Sequence, residues 1–258
     1  TAATGQLNLG GAGFQAIGAY ACAILSNEIG LPISLTLMFS AILGGAISFL
    51  IAFPVLRTKG VYMVLATFAI AEIVAGIILN SSYLGGPTGM IINTYIETEV
   101  ILIVAIIIIL LSFYLMSTRI GLAMRAVHDD EAVADLMGVN KRAIQVGAFA
   151  LGGAIAGLSG GLYALYFGFI EAQYFNANIS IFVLLYVLIG GTQTAWGPLL
   201  GASFFTLIPE ALRIGDDWRF FIFGVIIVAM MILRPEGIVT RDALDRVSTR
   251  LFPRKSNV

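Results

Sequence analysis

Residues 98–118 read TEVILIVAIIIILLSFYLMST, and no charge falls between Val100 and Thr118. At 1.5 Å per residue such a run makes a helix of about 30 Å, the thickness of the hydrocarbon core of a bilayer. It is apolar on every face, offers no polar side to water, and reads as a transmembrane helix. Outward from it lie further runs of the same kind at 10–27, 33–56, 60–79, 143–167 and 216–233. Two shorter runs, 179–189 and 198–212, flank the loop Gly190-Gly191-Thr192-Gln193-Thr194-Ala195-Trp196-Gly197. They are either short spanning helices or a re-entrant pair, and both options return the chain to the same side. The expected fold class is all-α: a polytopic transmembrane helical bundle of about eight spans, forming one domain over 1–258.

Composition agrees. Of 258 residues, 59% are hydrophobic and 11% charged, with a mean hydropathy of +0.97. Soluble domains carry about 25% charged residues, and a chain with so few cannot cover its apolar surface in water. A cytosolic enzyme, a nucleic-acid binder and a disordered chain are excluded on that ground. Cys22 and His128 are each the sole residue of their type, so no disulfide and no metal site of Cys or His is expected. The chain begins Thr1-Ala2-Ala3-Thr4, with no Met and no basic leader, and is read as part of a longer chain that lacks its start. Gly11-x-Gly13-x-x-Ala16 follows no strand and is no dinucleotide fingerprint. No Gly-x-x-x-x-Gly-Lys-Ser/Thr occurs, so ATP-driven work would need another subunit to bind the nucleotide.

Basic residues give the expected orientation. If the chain starts on the cytoplasmic side, inside segments hold Arg57, Lys59, Arg119, Arg125, Lys141, Arg142, Arg234, Arg241, Arg246, Arg250, Arg254 and Lys255, twelve of the 14. The outside loops hold Arg213 and Arg219 together with Glu28, Glu97, Glu99 and Glu171. Residues 80–97 form an outside loop around Gly85-Gly86-Pro87-Thr88-Gly89. Residues 119–142 form the one long inside loop, and 241–258 a basic cytoplasmic tail attracted to anionic lipid. Both chain ends of this stretch are cytoplasmic on that count.

Within the apolar runs, small residues recur every four positions: Gly153, Gly157 and Gly161, beside Gly152, Ala156 and Gly160. Such faces let membrane helices approach closely, so these glycines read as helix packing. Glu72 lies deep in 60–79, where a carboxylate costs about 2.5–3.5 kcal/mol on insertion scales. It is either part of a transport path or a hydrogen-bonded structural residue. Tyr62, Thr67 and Glu72 are spaced by five and do not share one face. Gln6, Asn8 and Gln15 sit among Gly5, Gly10, Gly11 and Gly13, and either line a pathway or cap and bond neighbouring helices. Glu210, after Pro209, reads as snorkelling to water.

The inside loop carries the functional signal. Asp129 is the expected N-cap of a short helix near 130–137, Asp130 and Glu131 complement its positive end, and Gly138 is the expected stop. Val133, Leu136 and Met137 fall on one face, an amphipathic stub that needs a docking surface. That surface is a partner, the membrane interface or this chain's own helix ends. His128 has no nucleophile or second base near it in sequence and reads as a solvated loop residue.

Taken together these stretches resemble the membrane permeases of branched-chain amino acid ABC importers, specifically the LivM-type half. The resemblance runs through Gly5-Gln6-Leu7-Asn8-Leu9-Gly10, Phe53-Pro54-Val55-Leu56-Arg57, Gly60-Val61-Tyr62, Ala71-Glu72-Ile73 and Gly85-Gly86-Pro87-Thr88-Gly89. It continues through Gly121 to Arg125, Asp129-Asp130-Glu131-Ala132 to Gly138, Ala148-Phe149, Gly190-Gly191 and Arg234-Pro235-Glu236-Gly237. It implies a permease subunit that pairs with a second, LivH-like permease, two cytoplasmic ATP-binding subunits and an external substrate-binding protein in a bacterial inner membrane. ATP and Mg would be bound by those ATP-binding subunits, with no cofactor in this chain. It implies that Asp129–Gly138 is the coupling helix, with Arg125, Asp129, Asp130, Glu131, Ala132, Asp135, Leu136 and Gly138 the residues expected to couple; separately, the polar groups Gln6, Asn8, Gln15, Tyr62, Thr67 and Glu72 in the apolar, glycine-rich helices are the expected lining of a translocation pathway. It also implies a further helix ahead of Gly5 and inverted repeats, with Gly85-Gly86 and Gly190-Gly191 on opposite faces. The general coupling pattern of Glu-Ala-Ala, three residues, then Gly is met here with Glu131-Ala132-Val133 and a Gly138 one position late.

Three function classes compete. The first is a permease subunit for branched-chain or other neutral amino acids, with urea, short amides or aromatic acids as alternative cargo. The second is an ion-coupled secondary transporter or channel, disfavoured because Glu72 is nearly alone among the spans. The third is an intramembrane enzyme, for which no paired carboxylates or Ser/His set exist in the spans.

Overall fold

The computed structural model describes residues 1–58 and 60–212, together with 224, 225 and 228. Most of the expected span 216–233 and the whole tail 241–258 lie outside the described residues, as do Arg213, Arg219 and Lys59. The long apolar runs are helices: α1 (Gly11–Ile24), α2 (Ile33–Val55), α3 (Val61–Asn80) and α4 (Thr98–Ser117). After them come α5 (Arg119–Asp129), α6 (Glu131–Leu136), α7 (Lys141–Phe167), α8 (Ala177–Gly190) and α9 (Trp196–Leu212). Among the described residues five helical stretches are long and apolar enough to cross a bilayer: α2, α3, α4, α7, and α8 with the turn before it from Ala172. α1 continues through a π-turn over Leu25–Ile29 before it stops at Gly30. The all-α class is therefore observed.

The first compact unit runs from Ala3 to Ile181, with Thr1. Its centre is α7, wedged between α1 and α2. The wedge is possible because the facing residues are small. A Cβ on Gly157 would stand 2.5 Å from the Ser40 carbonyl oxygen, and one on Gly44 would stand 2.6 Å from the Gly153 carbonyl oxygen. Gly18 and Gly160 bring α1 and α7 together in the same way, Gly18 against the Gly157 backbone and Gly160 against that of Gln15. Gly161 faces Ser40 and Leu37 of α2. Polar clips then fix the register: the Ser48 hydroxyl donates to the Phe149 carbonyl (2.8 Å), and the Ser180 hydroxyl accepts from the Ala12 N–H (2.8 Å).

Two apolar clusters fill the unit. At one end Phe14 meets Phe149 edge to face at 5.9 Å among Ala52, Val55, Met63 and Val146. At the other, Tyr20, Leu37, Ile92, Leu165, Ile170 and Phe175 close under a small platform. That platform is a two-residue antiparallel ladder, β1 (Met90–Ile91) on β2 (Phe169–Ile170), with Met90 opposite Ile170. Asn27 ties the end of the π-turn to it, donating to the Ile91 carbonyl (2.7 Å) and accepting from the Asn93 N–H (3.2 Å). The 80–97 segment is thus a pinned plate built on two 3₁₀ turns, Ser82–Leu84 and Gly86–Thr88.

The second unit begins at Phe182. The last turns of α8 and the first of α9 approach backbone to backbone at Gly190, Gly197 and Gly201, and Tyr186 stacks on Phe205 at 5.4 Å. The Thr194 carbonyl and hydroxyl both accept from the Gly197 N–H, which starts α9. At 14 and 17 residues, α8 and α9 measure about 21 and 26 Å, shorter than a bilayer core.

Candidate functional site

The site is an elbow at the end of the first unit where α4 stops and α7 starts. α5 packs Gly121, Met124 and Val127 inward at a spacing of three, so most of the expected inside loop is helical. Gly121 passes close to the Leu115 and Met116 carbonyls, where a Cβ would stand 2.6 and 2.5 Å away. Arg125 turns back and donates from Nη2 to the Met116 carbonyl (2.8 Å), meeting the negative end of α4. Its guanidinium is therefore held against the end of α4, with Nε buried and without a hydrogen-bond partner among the described residues.

Asp129 is still part of α5, because the Asp130 N–H continues the ladder to the Ala126 carbonyl (3.1 Å). The cap therefore moves one residue on from Asp129, the sequence expectation. Asp130 is extended, and its Oδ1 accepts from the N–H groups of Ala132 (2.8 Å) and Val133 (3.1 Å). Gly138 ends the turn in the left-handed region, at φ +81°, with its N–H on the Asp135 carbonyl and the Val139 N–H on that of Ala134. α6 is braced from α7 by two side chains. Lys141 Nζ lies 3.8 Å from Asp135, and Gln145 Nε2 donates to Glu131 at 2.9 Å. Only Ala134 of α6 is buried. Leu136 and Met137 are 87% and 80% exposed, and Val133 stands out beside them. The helix is tied to α7 by these two side chains and presents an apolar tip.

Behind this elbow is a cavity of about 480 Å³. It is lined by the Gly5-Gln6 segment, by Leu56, Arg57 and Thr58 after α2, by Met63 of α3, by Glu131, and by Lys141, Arg142 and Gln145 of α7. Arg142 also sits over the Phe53 ring, 5.8 Å from its centroid.

The six polar residues marked for a pathway do not converge. Gln6 is buried beside the cavity. Asn8 makes a local turn, its Oδ1 accepting from the Gly10 N–H (2.7 Å). Thr67 is fully buried and holds the start of α1 to α3, accepting from the Leu9 N–H (3.0 Å) while donating to the Val64 carbonyl (2.9 Å). Gln15 is half-buried where α1 meets Gly160. Tyr62 and Glu72 lie on the outward face of α3, both exposed. The sequence places Ser48 with Gly44 and Gly45 on a small packing face but gives no sign of its hydrogen bond, and Ser180 was not foreseen at all; each hydroxyl clips a distant backbone group. Their one sequence signal is a lone hydroxyl at a helix-packing position.

Comparison with known proteins gives a consistent answer. The family model described as the permease component of the branched-chain amino acid transport system matches residues 1–233. The chain is 29% identical over 272 residues to the high-affinity branched-chain amino acid transport system permease protein LivM of Escherichia coli K12, covering 92% of this chain and 64% of that protein. It is 25% identical to a probable branched-chain amino acid transport permease LivH of Methanocaldococcus jannaschii, over 89% of this chain and 81% of that protein. It is 33% identical to an autoinducer 2 import permease, LsrC, of Photorhabdus laumondii, over 49% of this chain and 40% of that protein. The chain thus spans just under two thirds of the length of the Escherichia coli LivM protein. No solved structure matches it.

Proposed function

This chain belongs to the branched-chain amino acid transport permease family, and from that we propose that it forms half of the translocation pathway of an ATP-driven importer for branched-chain or other neutral amino acids. The observation that carries the reading is the elbow: a short helix braced by Asp130, Lys141 and Gln145, with an exposed apolar tip at Leu136 and Met137. A tip so exposed on a helix tied in this way suits a groove in another protein better than a lipid surface, because Asp129, Asp130, Glu131 and Asp135 surround it and anionic headgroups repel them. The groove belongs to a cytoplasmic ATP-binding subunit, which places α6 on the cytoplasmic side and makes Asp129–Gly138 the coupling segment. Two such subunits bind ATP and Mg, a second LivH-like permease supplies the other half of the path, and an external binding protein delivers the substrate. Urea, short amides and aromatic acids are the alternative cargo.

In the mechanism, closure of the ATPases displaces α6. Its braces pass the movement to α7, which shifts against α1 and α2 where Gly153, Gly157, Gly160 and Gly161 face them. The test is ATP-dependent uptake in proteoliposomes holding the assembled transporter, with Leu136→Asp, Glu131→Arg and Gly138→Val compared with the native chain. Uptake falls at least tenfold and the ATP-binding subunits cease to co-purify with the Leu136→Asp form. Unchanged uptake and unchanged co-purification overturn the reading. Flux by the isolated chain down an ion gradient would instead establish the ion-coupled class.

A further inference from the structure

The cavity behind the elbow holds chemistry that the coupling role does not use. Gln6 is 3% exposed, and neither its Nε2 donor nor its Oε1 acceptor has a hydrogen-bond partner. A buried amide left in this state costs about 1–3 kcal/mol, and this one lies in the wall of the cavity, where a side-chain rotation would let it bond an occupant. Arg57 and Arg142 have no carboxylate partner among the described residues, whereas Lys141 is already engaged by Asp135. At the start of α7 the Asn140 side chain caps the Ala143 N–H, which leaves the N–H groups of Lys141 and Arg142 free for an anion. Glu131 offers one carboxylate oxygen to Gln145 and keeps the other. Leu56 and Met63 add apolar wall.

We propose that this cavity binds an α-amino acid with an apolar side chain, taken up from the side of the molecule that carries α6. The ligand's carboxylate meets Arg57, Arg142 and the first turn of α7, and its ammonium meets the open oxygen of Glu131. Its side chain lies on Leu56 and Met63, and the Gln6 amide, sealed behind the cavity wall when the site is empty, turns toward the bound ligand to donate to its carboxylate. Charge selects among ligand classes. A zwitterion satisfies both signs, a simple anion leaves the open oxygen of Glu131 without a partner, and a simple amine is repelled by two guanidinium groups. The volume is ample for one amino acid and its waters. Because Glu131 opens α6, an occupant there holds the coupling helix, and accumulated product restrains its own import. The identity of the ligand as transported product, and its arrival from the cytoplasm, rest on the proposed transport function.

The experiment uses the full-length chain assembled with its partner permease and ATP-binding subunits in nanodiscs, without the external binding protein. Equilibrium dialysis with tritiated L-leucine gives saturable binding, and the same leucine slows ATP hydrolysis. The Arg57→Ala/Arg142→Ala double variant and Gln6→Leu each raise the dissociation constant at least tenfold, with thermal unfolding confirming that both remain assembled. N-acetyl-leucine, which lacks the ammonium, and leucinamide, which lacks the carboxylate, each compete at least tenfold less well. Absence of saturable binding in a preparation that still imports leucine when given its binding protein overturns this inference and leaves the transport reading intact. A preparation that neither binds nor imports leucine overturns both. Equal affinity in the variants, or competition by inorganic phosphate as strong as by leucine, also overturns it.

Discussion

Gly157 shows how much a single residue carries in this molecule. It lies within close reach of both α1 and α2: the position a Cβ would take on Gly18 falls on its backbone, and its own would fall 2.5 Å from the Ser40 carbonyl oxygen. Overpacking a tight core costs about 1–3 kcal/mol, and more where the obstacle is backbone that cannot rotate away. Gly157→Leu is expected to lower the unfolding midpoint of the purified chain in detergent by several degrees and to cut its yield. Gly147 sits in the same helix with nothing within 4 Å of its would-be Cβ. Gly147→Ala is expected to leave the midpoint unchanged or raise it, since alanine gains up to about 1 kcal/mol of helix propensity over glycine. Equal losses from the two substitutions would show that α7 is merely intolerant of side chains. The four-residue spacing of Gly153, Gly157 and Gly161 made the small face legible from sequence. That it serves two neighbours at once was not legible, because spacing fixes a face but not which helices meet it.

At the scale of an element, α6 is stabilised by very little of its own. It has six residues and one buried side chain, so its persistence depends on its cap, its stop and its braces. Asp130→Ala removes the acceptor for two N–H groups and costs about 1 kcal/mol. Hydrogen exchange at the amides of Ala132 and Val133 should accelerate about fivefold, with exchange in the middle of α7 unaffected. No acceleration would mean that α6 is held by its braces and that the cap is incidental. Sequence logic located this helix because an acidic start and a glycine stop bracket it. It placed the cap one residue early because Asp129, Asp130 and Glu131 are chemically similar candidates, and only the docking of α5 through Gly121, Met124 and Val127 decides where the preceding helix ends. The plate over 80–97 was less legible still. Its ties join Ser26 to Thr94 and Asn27 to Ile91, pairs 68 and 64 residues apart whose members look like ordinary loop residues.

For the molecule as a whole, the two most exposed spans carry different chemistry, and that difference assigns their surroundings. α4 has no buried residue, and its outward positions Leu102, Ile106 and Leu110 continue a surface with no charge from Val100 to Thr118. Hydrocarbon suits it. The outward stripe of α3 runs Val61, Leu65, Glu72, Ile73 and Ile77, with the Glu72 carboxylate exposed near mid-helix and hydrogen-bonded to no described residue. Lipid at that depth would penalise the ionised group by about 2.5–3.5 kcal/mol on insertion scales, so the stripe suits protein or water better than hydrocarbon, and on the proposed transport function it is expected to face the second permease or a water-lined path. Single cysteines report on this in a Cys22→Ser background, since Cys22 is the native chain's one thiol. A fluorophore at Ile106→Cys is expected to be quenched by brominated lipid, and one at Ile73→Cys to escape quenching and to cross-link to the second permease in the assembled transporter. Glu72→Leu should insert as well as the native chain yet lower uptake at least tenfold. Strong lipid quenching at position 73, or full uptake by Glu72→Leu, would move the pathway away from α3 and make Glu72 a surface residue. Its carboxylate would then have to reach the membrane interface from near the middle of a 20-residue helix, by tilt of the helix or local thinning of the bilayer.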